Sequence, residues 1–187
     1  MRIAQIVERT EVEGPGLRTA IWVQGCTLNC PGCCNQEFLP HSGGKHWEIE
    51  KLAEYCAQIS EVEGITLLGG EPLQQPEETK RFLEYLRSIC EHSVMLFSGY
   101  TWKYIKKQPL LSEIVSLCDL VVAGPFIQKY TPTTRRWIGS ENQTIHFVTE
   151  RYQHLQGDWD QHRNEVEFHL KEGEIIVNGT PFDTGII

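Results

Sequence analysis

With 187 residues, 40% of them hydrophobic, the chain can bury one domain-sized core, so its seven cysteines are not required as disulfide staples. A formal net charge of -8 excludes the basic face that a nucleic-acid binder presents. No stretch approaches the roughly 20 apolar residues of a membrane span and the opening residues lack a signal-peptide core, so a cytoplasmic protein with reduced thiols and no membrane partner is expected.

Taken in chain order, RIAQIVERTEV alternates like a half-exposed strand before Gly14, Pro15 and Gly16 break it. Four short runs follow that are apolar on both alternating faces: AIWV (20–23), ITLL (65–68), VMLF (94–97) and LVVA (120–123). Such runs predict strands covered on two sides, as in a parallel sheet. Between them, Ile49, Leu52, Ala53, Cys56 and Ile59 share one helical face. The same holds for Phe82, Leu83, Leu86, Ile89 and Cys90, and for Leu111, Ile114, Val115 and Cys118. This alternation predicts βαβ units. Cys56, Cys90 and Cys118 then read as small hydrophobes of the core. Lys129, Arg135 and Arg136 read as a solvated basic loop. A polar run from residue 150 predicts a main domain of 1–150 and a small appendage, 151–187. Within the appendage, VEFHLKEGEIIVNG has the pattern of a β-hairpin, expected to cover a sheet edge.

The other four cysteines fall within nine positions, Cys26 to Cys34, directly after the strand AIWVQG. A loop after the C-terminal end of a parallel strand is where α/β folds build their sites. Cys26, Cys30 and Cys33, spaced C-x3-C-x2-C, can hold three corners of an iron-sulfur cubane and leave the fourth iron open to a substrate. Cys34, adjacent to Cys33, points away and reads as a wall or a spare thiol. Zinc is the rival metal, with His41 and His46 close in sequence, although no second C-x2-C pair follows. Gly69, Gly70, Glu71 and Pro72 end the strand ITLLGG. Two glycines there let backbone approach a ligand closely, and Glu71 can accept from an ammonium group. Ser98, at the end of VMLF, could reach a ribose hydroxyl or form a turn.

Taken together, GPGLR (14–18), WVQGCTLNCPGCCN (22–35), LLGGEPL (67–73), SGY (98–100), AGPF (123–126) and GSENQ (139–143) resemble the radical S-adenosylmethionine enzymes. Within them, the order and spacing are similar to the small activating proteins of anaerobic ribonucleotide reductase. The resemblance implies an incomplete α/β barrel: a curved, mainly parallel sheet of about five or six strands with outer helices. It also implies a [4Fe-4S] cluster on Cys26, Cys30 and Cys33. S-adenosyl-L-methionine would bind at the open iron, against Gly32, Cys33, Cys34, Gly69, Gly70, Glu71, Pro72 and Ser98. Reductive cleavage would give a 5'-deoxyadenosyl radical that installs a glycyl radical on a partner enzyme, with a flavodoxin- or ferredoxin-type protein as electron donor. Two alternatives stand beside this reading: a stand-alone enzyme of the same chemistry acting on a peptide or small metabolite, and a non-enzymatic iron-sulfur or zinc module. Ala123 and Cys34 depart from the subgroup's usual pattern, which has an aspartate before GPF and often a histidine or tyrosine after the third cysteine.

Overall fold

All four doubly apolar runs become neighbouring parallel strands: β2 (Arg18–Val23), β4 (Gly64–Gly69), β5 (Ser93–Ser98) and β6 (Leu120–Ala123). The computed structural model describes residues 1–131, 135–157, 159, 165–171 and 174–179. Three antiparallel strands flank this core, giving the order β3-β1-β2-β4-β5-β6-β7 with β1 (Arg2–Thr10), β3 (Lys45–His46) and β7 (Thr144–Phe147). Among the described residues the sheet therefore has seven strands where five or six are expected. The sheet is mixed, with β1 and β7 running against the other five.

Alternation along the strands explains why both faces are apolar. Ile21, Val23, Ile65, Leu67, Val94, Leu96, Val121 and Ala123 point into one core cluster with the helices α1 (Ile49–Gln58), α2 (Pro76–Ile89) and α4 (Pro109–Ser116). Ala20, Trp22, Leu68, Met95, Leu120 and Val122 point the other way, into clusters with Phe97, Trp137, Tyr152, Trp159 and Ile176. Cys56 and Cys118 are fully buried on the helical side, and Cys90 packs against it. Ile89, expected on the buried stripe, is 41% exposed, because it is the last residue of α2 and the packed face ends at Leu86. A fourth helix, α3 (Trp102–Lys107), joins β5 to α4. It is too short to show a period.

Arg18 is the largest fully buried side chain. Its guanidinium donates to Thr66 Oγ1 (2.8 Å), Ser93 Oγ (2.8 Å), Tyr152 OH (3.0 Å) and the Pro15 carbonyl (3.0 Å). It starts β2 opposite Gly64, the first residue of β4, and so lies at the opposite end of the sheet from the cysteine loop.

The C-terminal strands β8 (Val166–Lys171) and β9 (Glu174–Gly179) pair with each other as the hairpin pattern predicts. Among the described residues they pair with neither β3 nor β7, so the hairpin adds no strand to the main sheet. Ile176 instead packs against the Trp22 and Leu68 face of the main sheet. Glu167 Oε1 accepts from the Glu11 amide (2.8 Å), and Arg136, from the expected solvated cluster, is paired with Glu165 (2.8 Å). Phe168, Leu170, Ile175 and Val177 face outward.

Candidate iron-sulfur site

The three thiols of the C-x3-C-x2-C loop line one cavity of about 190 Å³. So do residues at the C-terminal ends of all four parallel strands: Trp22 in β2, Leu68 to Glu71 at β4, Phe97 to Gly99 at β5, and Gly124 and Phe126 beyond β6. The loop is held in place by its own backbone. Gly25 and Cys26 amides donate to the Phe38 and Leu39 carbonyls (2.8 and 2.9 Å), and the Cys33 amide donates to Cys30 (3.1 Å). The tight turn uses a left-handed conformation at Gly32 (φ 75), where a side chain would also meet Gln128.

The Gly69–Glu71 edge is stitched to this loop. Gly70 and Glu71 amides donate to Val23 and Gly25 carbonyls (2.8 and 2.9 Å). A Cβ on Gly70 would lie 2.4 Å from the Gly25 oxygen, so the glycine is demanded first by the contact between the two strand ends. Glu71 is buried, and its carboxylate already accepts from the Leu73 amide (3.0 Å), Ser98 Oγ (3.0 Å) and the Gly99 amide (2.7 Å). Burial outweighs these donors and pushes its pKa up to about 7. Glu71 is therefore a clamp joining the ends of β4 and β5. Ser98 also accepts from the Tyr100 amide (3.1 Å), the turn-forming arrangement. Gly32 and Pro72 do not line the cavity, Pro72 being the buried first residue of a 3-10 turn, whereas Gly69, Gly70, Cys34 and Ser98 do.

Burial raises the pKa of the Cys26 and Cys30 thiols. Cys33 moves the other way, to about 6, because the Cys34 thiol hydrogen-bonds its sulfur. Cys34, expected to point away from Cys33, instead turns its thiol onto that sulfur and lines the same cavity.

Four free cysteines lie on one loop, three of them at C-x3-C-x2-C spacing beside a cavity, and thiolates are the soft donors that iron-sulfur clusters use. Among the described residues no three His, Cys, Asp or Glu side chains gather around a point suited to a single metal ion. A family model described as a 4Fe-4S single cluster domain matches residues 12–146. The chain belongs to this 4Fe-4S single-cluster family. Its relatives include the anaerobic ribonucleoside-triphosphate reductase-activating proteins of Vibrio cholerae, 32% identical over 74% of this chain and 92% of theirs, and of phage T4, 30% identical over 72% and 86%. The protein of that name from Escherichia coli K12 is 27% identical over 73% of this chain and 92% of its own.

Within this single-cluster chain the AGPF and GSENQ segments turn out to be one unit. Gln143 Nε2 donates to the Gly124 carbonyl (3.0 Å), Asn142 Nδ2 donates to Pro125 (2.7 Å), and Ser140 Oγ accepts from the Ile127 amide (3.1 Å). The clamp holds the loop after β6 against the cavity, where Gln143 is itself a lining residue. The hairpin lies outside the matched range yet contributes Gly179 to the lining.

Glu13, on the β1–β2 connection, was missed by the sequence reading, because a glutamate before Gly-Pro-Gly looks like any turn residue. It lines the cavity, is buried, and accepts from the Gly179 amide (2.8 Å). Burial first, and then the charge of Glu167, push its pKa up to about 7 from 4.5. A carboxyl raised in the folded state stabilises the fold fully below about pH 4.5 and loses that contribution as pH climbs through about 7. The change for Glu13 is about 3 kcal/mol. Guanidinium unfolding between pH 5 and 8.5 is expected to show stability falling with pH, with a clearly shallower fall in Glu13→Gln. Parallel curves for the two proteins would contradict this.

Proposed function

We propose that this chain is a radical S-adenosylmethionine activase that installs a glycyl radical on an anaerobic ribonucleotide reductase. One observation supports this most: the cysteine loop and the Gly69–Glu71 edge line the same cavity, at the same ends of the parallel strands. Cys26, Cys30 and Cys33 would hold the [4Fe-4S] cluster. When bound, the cluster and S-adenosylmethionine would supply a reductively generated 5'-deoxyadenosyl radical able to take a hydrogen atom from glycine.

The chain's own residues bind and orient. Gly69 offers half-buried backbone on the same cavity as the thiols, suited to the methionyl group, while Glu71 keeps that strand end rigid through its three donors. Trp22, Leu68 and Phe97 give the deeper wall an apolar surface that excludes water from a radical. Cys33 and Cys34, which line the cavity beside the Gly32 turn, would form the adenine side. Among the described residues the sheet order ends at β3 and β7 with no closing pair, which leaves the open side that a large partner would need. Residues 151–187 act as an appendage of the 1–150 domain. The reduced thiols suit a cytosolic setting, and no helix among the described residues is long and apolar enough to cross a membrane.

The test is electron paramagnetic resonance. An anaerobic mixture of reconstituted protein, S-adenosylmethionine, reductant and a candidate reductase is expected to develop a glycyl-radical doublet. Cleavage of S-adenosylmethionine with no radical on the reductase would favour the stand-alone enzyme instead.

A further inference from the structure

We infer that the exposed face of α3 docks a small acidic electron-carrier protein and is connected to the cysteine loop through Tyr104, Tyr100, Gln74 and Thr27. The inference rests on the proposed redox cluster, because a cluster enclosed by protein needs an external one-electron donor. It adds the surface that receives it.

α3 reads WKYIKK, three lysines in six residues of a chain whose net charge is -8. Lys103, Lys106 and Lys107 stand at i, i+3 and i+4, on one side of the helix, and all are exposed. Among the described residues none of the three forms an ion pair, whereas Lys51, Lys80, Arg81 and Arg87 do. Lys106 and Lys107 suit the negative C-terminal end of α3, but Lys103 sits in its first turn, where a cation is unfavourable. Helix stability therefore accounts for Lys106 and Lys107 but not for Lys103, and the Lys106 contact with the Trp102 ring (5.6 Å to the centroid) leaves its charge exposed and without an acidic partner. An uncompensated positive surface on an acidic protein selects an acidic partner and steers its approach.

The patch is joined to the site by direct contacts. Tyr104, 44% exposed beside the lysines, stacks on Tyr100 with ring centroids 4.9 Å apart. Tyr100 OH accepts from Gln74 Nε2 (3.0 Å). The same amide group donates to Thr27 Oγ1 (2.8 Å) and its oxygen accepts from the Thr27 amide (2.9 Å), next in the chain to Cys26. With a flavin carrier, one electron leaves the anionic hydroquinone, which becomes the neutral semiquinone. The cluster gains that electron, and no proton moves.

The test uses the full-length reconstituted protein, a reduced flavodoxin as probe, and the variant K103E/K106E/K107E. Binding is measured by calorimetry at two salt concentrations. Cluster bleaching is followed by stopped flow with flavodoxin and, separately, with photoreduced deazaflavin. The triple variant is expected to bind flavodoxin about tenfold more weakly at low salt, with the gap closing at high salt. Bleaching by flavodoxin should slow in step, while bleaching by deazaflavin stays unchanged. Equal binding by variant and wild type would overturn the docking surface. So would an equal loss in K45E/K51E, which reverses charges away from α3. If deazaflavin bleaches neither protein, the cluster reading fails, and the binding comparison still decides the docking claim.

Discussion

Replacing any one of Cys26, Cys30 or Cys33 by alanine is expected to reduce bound iron from about four per chain to near zero, because a cubane needs each of its protein corners to persist. Cys34→Ala should keep its cluster. The contrast follows from the loop. The three spaced thiols line the cavity at the C-x3-C-x2-C spacing, whereas Cys34, which lines it too, lies outside that spacing and hydrogen-bonds the Cys33 sulfur. Iron and sulfide analysis with the visible spectrum of each reconstituted variant checks this. A Cys34 variant without iron, or a Cys30 variant with a full complement, would require another ligand set.

The second large effect belongs to Arg18. Removing this buried guanidinium leaves Tyr152, Ser93, Thr66 and the Pro15 carbonyl without their donor, and leaves Glu63, which hydrogen-bonds Tyr152, without a nearby cation. Breaking one side of such a network costs about 3–5 kcal/mol, a large part of the stability of a domain this size. Arg18→Ala is expected to unfold or aggregate, and Arg18→Lys to fold with a lowered melting temperature. Since Arg18 lies at the far ends of the strands, the lysine variant should bind S-adenosylmethionine with unchanged affinity. A weakened affinity without loss of stability would place Arg18 at the ligand.

The strands that build the site were readable because both faces of each are buried, so every residue of AIWV or VMLF had to be apolar. Flanking strands β3 and β7 were not. Lys45–His46 is two exposed residues, and Thr144–Phe147 has a half-buried pattern no different from a loop. α3 escaped for a similar reason: six residues give less than two turns of periodicity. At the site, cysteine spacing carried the metal prediction because thiols have few other uses in such a loop. Glu71 was found but its contacts were not, since the ends of β4 and β5 meet only in three dimensions. Glu13 and Gly179 approach the cavity from segments more than 160 positions apart, which no local pattern records.

On the proposed function this cavity holds S-adenosylmethionine against a cluster held by three cysteines. Anaerobic reconstitution with iron and sulfide, followed by reduction and quantification of 5'-deoxyadenosine by chromatography, tests it directly. Product is expected from the wild-type protein and none from Cys30→Ala. A wild-type chain that carries zinc, or one whose reduced cluster leaves S-adenosylmethionine intact, would contradict it.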